Sequence, residues 1–293
     1  MRGFRIQKSI TYAVLLLLSA FFLVPIVFTF TNSFMSAFEV ANRYSVHFSL
    51  YNGGLEGCEG IHFAEISFAP LMATLEPYSK LLFESPHYLG LFFNSIAITV
   101  PIVLGQLIIA VPAAYAFEMH RFRFKESIFF VYIVIMLLPL QVTIVPNFIV
   151  SEWLHINGSY WPIILPAVFS PFGVFLVRQS LKGMPYEYIE AAKIDGAGVF
   201  QIFGRIILPI IKPAVAALSI LTFVEYWNVV DQAVVFISKS VREPLSVYLS
   251  RMTGEDGMHM IFAASCFYML PSVLVFLYGQ EYMVEGIQLS GIK

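Results

Sequence analysis

The chain is punctuated by stretches that hold no Asp, Glu, Lys or Arg, and these limit the folds open to it more than any other feature. They run over residues 9–38, 85–117, 127–151, 153–177 and 257–280. Each is at least as long as the roughly 20 apolar residues an α-helix needs to cross about 30 Å of hydrocarbon. A sixth run, residues 213–236, is as long but carries Glu225 and Asp231. Inside lipid a backbone must satisfy its own polar groups, so such runs call for helices rather than open sheet. The 12% of charged residues agrees, since soluble domains carry about twice that share. The expectation is an all-α membrane protein, one domain over residues 1–293. Its six transmembrane helices are expected at about 10–34, 89–117, 128–150, 160–178, 210–235 and 259–281.

The first run follows Arg2, Arg5 and Lys8, as a secretion signal would. Its apolar stretch is far longer than the 7–15 residues of a signal core, and no A-x-A site closes it. It therefore reads as a permanent helix. Lys and Arg are retained on the cytoplasmic side of membrane proteins. With the N-terminus inside, 12 of the 17 Lys and Arg fall on inner segments, so both termini are expected to be cytoplasmic. Residues 36–88 then form a long outer loop without a helical period, and residues 179–208 the one long inner segment. Cys58 in the outer loop and Cys266 in the run over 257–280 lie in different surroundings. They suggest neither a disulfide framework nor a metal site.

Pro25, Pro101, Pro112, Pro139, Pro146, Pro162, Pro166, Pro171 and Pro271 all fall within the runs. Each removes a backbone donor and bends or breaks a helix. Membranes tolerate that where neighbouring helices or a water-lined cavity take up the freed groups. Glu225 would lie about 20 Å above Lys212 if the sixth run were one helix. An intramembrane carboxylate is expensive and faces protein or water. Thr222, Glu225, Asn228 and Gln232 would share one face of that helix, with Tyr226 and Trp227 beside them. The stripe can line a pathway for a polar solute, with aromatics able to stack on sugar rings. It can equally hydrogen-bond a neighbouring helix, and Trp227 can belong to an interfacial aromatic belt.

The inner segment is polar and punctuated. Pro185 suits the first position of a short helix. Glu187 and Lys193 suit its first and last turns, and Gly196 its stop. "VFQIFGRI" reads as a second short helix before Pro209 and Pro213. Ala191, Ala192 and Gly196 keep the surface small enough for another backbone to approach. A helix resting on lipid would instead alternate bulky apolar and basic faces.

The pattern E-A-A-x3-G-x9-I-x-L-P is present as Glu190, Ala191, Ala192, Gly196, Ile206, Leu208 and Pro209. Seven such positions coincide by chance with odds of about 10⁻⁵ or less. In this the chain resembles the permease subunits of binding-protein-dependent ABC importers, and the resemblance covers nearly its whole length. "FFNSIAIT", "AAYAFEMHRFRFK", "LLPLQVTIVPNF", "FLVRQSLKGMPYEYIEAAKIDGAG" and "EYWN" are similar to the carbohydrate-uptake branch of maltose- and glycerol-phosphate-type permeases. The chain departs from that branch after Asn228, where Val229, Val230 and Asp231 replace an acidic residue soon followed by proline.

The resemblance implies a subunit that forms half of a translocation pathway. It would pair with a second homologous permease, sit on an ABC ATPase dimer and receive solute from an extracytoplasmic binding protein. Localisation would be the cytoplasmic membrane of a prokaryote, with lipid around the chain and no nucleic acid. Glu190, Ala191, Ala192, Asp195 and Gly196 would be the ATPase-coupling residues. ATP and Mg would bind the partner subunits, since this sequence has no G-x-x-x-x-G-K-[ST] loop, and the chain itself would be no enzyme. Thr222, Glu225, Tyr226, Asn228 and Gln232 would be pathway residues. Permeases for amino acids, peptides or polyamines stay open beside the sugar reading, as does a stand-alone secondary carrier.

Overall fold

A computed structural model describes residues 2–40, 42–44, 67–237, 239–252 and 257–291. Cys58 and most of the outer loop lie outside them. The described residues are almost entirely helical, without a strand, and one isolated bridge joins Met35 to Ala73. In chain order the helices are α1 (Arg2–Asn32), α2 (Pro86–Met119), α3 (Lys125–Met136), α4 (Leu140–Trp153), α5 (Trp161–Val168), α6 (Pro171–Lys182), α7 (Glu187–Ile194), α8 (Val199–Ile210), α9 (Lys212–Trp227), α10 (Asp231–Phe236), α11 (Leu245–Arg251) and α12 (Met258–Gly291). Four stretches are long and apolar enough to cross a membrane: Lys8–Asn32, Pro86–Met119, Trp161–Lys182 and Met258–Tyr282. Two bent pairs, α3 with α4 at 101° and α8 with α9 at 72°, raise the number to six if each is one span. The chain is a multi-pass membrane protein.

Two of the expected spans are not single straight rods. The run over 128–150 breaks where Pro139 takes extended backbone angles, φ −66° and ψ 146°, ahead of α4. Proline disfavours the helical region for the residue before it and donates no hydrogen bond. The run over 210–235 also breaks. It begins at the bend before Lys212, pauses after Trp227 and resumes only at Asp231. There the Val229 carbonyl accepts a hydrogen bond from the Ser246 hydroxyl, so a distant side chain satisfies a group that a continuous helix would pair itself.

The chain divides into two compact units. Residues 1–89 and 249–270 form one, tied by polar groups beyond the end of α1. Buried Asn32 accepts from the Tyr44 hydroxyl at 3.1 Å, and Tyr78 donates to Ser33 at 2.6 Å. The buried Glu39 carboxylate accepts the Leu71 N–H at 2.9 Å and meets Arg43 at 3.1 Å. Burial pushes the Tyr78 phenol up to about 12, which keeps it a neutral donor. Near the start of α12, Phe262 packs edge-on against Phe28 of α1.

Residues 90–248 and 271–293 form the other unit. Small residues set its spacing. A Cβ on Gly173 of α6 would come 2.9 Å from that of Ala110 on α2, and one on Gly105 would come 2.6 Å from Val168. Membrane helices pack by such close approach, because lipid offers no hydrophobic drive between them. At one end of this unit Arg178 of α6 is almost completely buried. Its Nε donates to Glu118, which closes α2, and its Nη2 to Glu126, which opens α3, both at 2.9 Å. The guanidinium carbon lies 3.8 Å over the Phe129 ring. At the other end Asn94 of α2 donates to the Val241 and Glu243 carbonyls at 2.8 and 3.0 Å, and Ser95 accepts the Leu245 N–H at 2.9 Å.

Breaking a buried ion pair from one side strands the remaining charge and costs about 3–5 kcal/mol, whereas an exposed pair contributes about 1 kcal/mol or less. Arg178→Ala is therefore expected to lower the unfolding free energy in detergent by about 3 kcal/mol. Glu126→Gln should lower it by about 1 kcal/mol at most, because the Glu126 side chain is 74% exposed. Denaturant titrations of the two variants check the order.

Candidate functional site

The polar inner segment folds as two short helices joined at Gly196. Helix α7 begins at Glu187, and the carbonyl of Tyr186 takes the first N–H bonds, from Ile189 and Glu190. Pro185 thus stands two residues ahead of the helix rather than as its first residue, with Tyr186 between them as the cap. Gly196 takes φ +79°, a left-handed angle that side chains resist, and donates to the Lys193 carbonyl. The chain then turns into α8, where the Gln201 side chain accepts the Gly198 N–H at 3.0 Å. This second helix is longer than "VFQIFGRI". It runs through a π-helical turn at Phe203–Ile207 to Ile210 before bending into α9.

The faces of α7 divide the expected coupling residues. Ile189 and Ala192, three apart, are buried with Val177, Leu181, Ile202 and Ile207 in one apolar cluster. Ala192 thus faces its own chain, while Glu190, Ala191, Asp195 and Gly196 are exposed. Beside them stand residues that composition alone passed over. Ile194 is 86% exposed and Phe200 91%, one on each side of the Gly196 turn. Their signal in the sequence is their setting: two bulky apolar residues flank D-G-A-G in a segment far too polar to enter lipid. Lys193 keeps its ammonium near the Tyr186 ring.

The expected pathway residues part company. Thr222 is buried and donates to the Oε1 of Gln106 on α2. The Gln106 amide passes the link on to the Ala167 carbonyl of α5 at 3.2 Å. Thr222 thus joins three helices, which is the packing role that the sequence left open. Glu225, Tyr226, Asn228 and Gln232 do come together, with Val229, Val230, Asp231 and Leu140, around a cavity of about 210 Å³. They do so because the helix stops: the Asn228 amide turns back to the Val224 carbonyl at 2.7 Å, and the chain bends through Val229 and Val230 into α10. The cavity therefore offers two carboxylates, an amide on either side of the break and a phenol. Trp227 is buried against Phe223 and Phe92, away from an interfacial belt. Among the described residues no group of His, Cys, Asp and Glu is placed to hold a metal ion.

An exposed helical elbow, backed by a transmembrane core that holds a polar break, can now be set beside known proteins. Residues 106–285 match the family described as binding-protein-dependent transport system inner membrane component. The chain belongs to that family. It is 30% identical over 226 residues to the arabinooligosaccharides transport system permease protein AraQ of Bacillus subtilis (strain 168), covering 76% of this chain and 80% of that one. It is 30% identical over 201 residues to the sn-glycerol-3-phosphate transport system permease protein UgpE of Yersinia enterocolitica, covering 67% and 72%. It also superposes on a chain from the crystal structure of a bacterial ABC transporter involved in the import of the acidic polysaccharide alginate. That match has a TM-score of 0.77 at 23% identity and covers 97% of this chain and 98% of the other. At that identity the likeness speaks for the fold, and the fold is that of a transport-system permease.

An interhelical hydrogen bond inside a membrane contributes about 0.6 to 1.7 kcal/mol. Thr222→Val keeps the shape and removes the donor to Gln106. It is expected to lower stability by about 1 kcal/mol and to leave the transport KM unchanged, as a paired melting and uptake assay would show.

Proposed function

We propose that this chain is the transmembrane subunit of an ATP-driven importer for a sugar or a closely related polar solute. It crosses the prokaryotic cytoplasmic membrane six times, with both termini and the α7–α8 elbow in the cytoplasm. The observation that carries the reading is the elbow itself. Ile194 and Phe200 stand almost fully exposed on a segment whose other face is seated in the chain's own core. Leaving such side chains in water forgoes about 1.5–3 kcal/mol each, which a groove on a partner protein would recover. Glu190 and Asp195 beside them supply the charged rim of such a contact.

In this reading a second homologous permease completes the pathway, a dimer of ABC ATPases holds ATP and Mg, and an extracytoplasmic protein delivers the solute. The ATPase dimer closes on nucleotide and moves the elbow. The elbow is anchored by Ile189 and Ala192, so its motion passes to the rods behind it and changes access to the cavity at Glu225 and Asn228. Ligand binding can drive a change only by favouring one of two states, and here the ligand acts through the partner. Within the cavity, the amides would donate to and accept from sugar hydroxyls, the carboxylates would accept from them, and Tyr226 would offer an aromatic edge. The arabinooligosaccharides of a relative favour a carbohydrate over amino acids, peptides or polyamines. A stand-alone carrier would leave the apolar side chains of the elbow without a purpose.

Glu190→Lys reverses charge at the rim, and Gly196→Pro forbids the positive φ that makes the turn. Both variants are expected to reach the membrane in normal amount, while solute-stimulated ATP hydrolysis and uptake fall by about tenfold or more, roughly the cost of one lost charged contact. Wild-type uptake in both would remove the elbow from the coupling path. Purification from native membranes in mild detergent should bring down an ATPase and a second permease. Recovery of the chain alone, even after cross-linking at Ala191→Cys, would favour the stand-alone carrier.

A further inference from the structure

The second unit carries another concavity, of about 450 Å³, that neither the elbow nor the carboxylate-lined cavity uses. Its floor is Ala97 and Pro101 of α2 with Ile164 of α5, and its rim is Ser159, Tyr160, Trp161 and Arg242. Two apolar stripes lead away from it. On α2, Val100, Leu104 and Ile108 follow at four-residue intervals and are 40%, 54% and 72% exposed. On α5, Trp161 and Leu165 are likewise exposed. From Ala97 to Ile108 the helix rises about 16 Å, close to the hydrocarbon depth of one leaflet.

The groove is therefore ordered along its length. Its floor is apolar, exposed apolar side chains continue from it along α2 for about the depth of a leaflet, two amphipathic aromatics stand at its mouth, and a guanidinium closes it. Tyr and Trp take that position at membrane–water interfaces. Arg242 spends one of its five N–H groups on the Gly158 carbonyl, at 3.1 Å, and this fixes the side chain beside the groove. An apolar transmembrane helix from another subunit would cover the stripes but leave the exposed guanidinium without an anion. A phospholipid brings an acyl chain and a phosphate in the order the groove presents them, and the planar guanidinium fork matches phosphate oxygens.

We propose that this groove is a binding site for one anionic phospholipid, with its phosphate on Arg242, its headgroup beside Tyr160 and Ser159, and one acyl chain lying between α2 and α5. The inference rests on α2, α5 and the connecting segments that carry Ser159, Tyr160 and Arg242, and it holds whatever solute is carried.

The test is native mass spectrometry of the protein released from nanodiscs with the subunits that accompany it. One set of nanodiscs is made of phosphatidylcholine and the other is doped with phosphatidylglycerol. The wild-type protein is expected to retain one phosphatidylglycerol. Arg242→Gln should lower that retention by about tenfold, the usual worth of a charge-assisted hydrogen bond. Ala97→Trp, which fills the floor and spares the arginine, should lower it similarly. Because the two substitutions lie on different segments, loss in both together with unchanged melting temperatures separates a lost site from a lost fold. Equal retention of the two lipids by the wild type, no retained lipid, or undiminished phosphatidylglycerol in both variants would each overturn the assignment.

Discussion

One buried cation holds the second unit together at its loop-bearing end. Arg178 sits at the close of α6, Glu118 at the close of α2 and Glu126 at the opening of α3. Three rods that are apolar along their length meet there through one guanidinium. A charge that deep is costly unless it is paired, and here two carboxylates and the face of Phe129 share it. Lys125 adds its ammonium to the Glu118 carbonyl at 3.0 Å, tightening the turn between α2 and α3. The apolar cluster that seats the α7 helix shares Phe129 and Val177 with this corner. The elbow is therefore placed only as firmly as the arginine is held.

Much of this was legible in the residues because hydrocarbon imposes a simple rule on length and charge. The charge-free run 85–117 marks α2 within two residues at each end, and the runs 9–38 and 257–280 begin within a residue of the membrane-length stretches of α1 and α12. The left-handed turn at Gly196 follows from glycine's freedom at positive φ and from the helix signals on either side. What the sequence concealed lies where one segment satisfies another. Asn94 and Ser95 could be quoted as part of a resemblance, yet their work is to hold the backbone at Val241, Glu243 and Leu245, about 150 residues away. Arg178, Glu118 and Glu126 could be read as the boundaries of three separate runs. Nothing along the chain says that three boundaries form one cluster.

The polar stripe is the more instructive case. A periodicity argument assumes that the helix continues, and from Thr222 to Gln232 it does not. Val229 and Val230 carry no turn signal, so the break was hidden until the Ser246 hydroxyl appeared at the Val229 carbonyl. With the helix interrupted, Thr222 faces Gln106 in the packed interior. The remaining four residues gather around a cavity by bending rather than by sharing a face. The chemistry proposed for them rests on that bend and not on a shared helix face.

The contact of Gly173 with Ala110 has a mechanical meaning. Where only an alanine methyl separates two rods there is almost no compliant side-chain layer, so shear at that point meets steep repulsion instead of a soft rotamer change. Helices α2 and α6 are thus held at a fixed separation where Gly173 meets Ala110. The elbow's bend ahead of Lys212 is a joint. Under the proposed coupling, a load arriving at α7 would find little give at that contact and more at the 72° bend between α8 and α9.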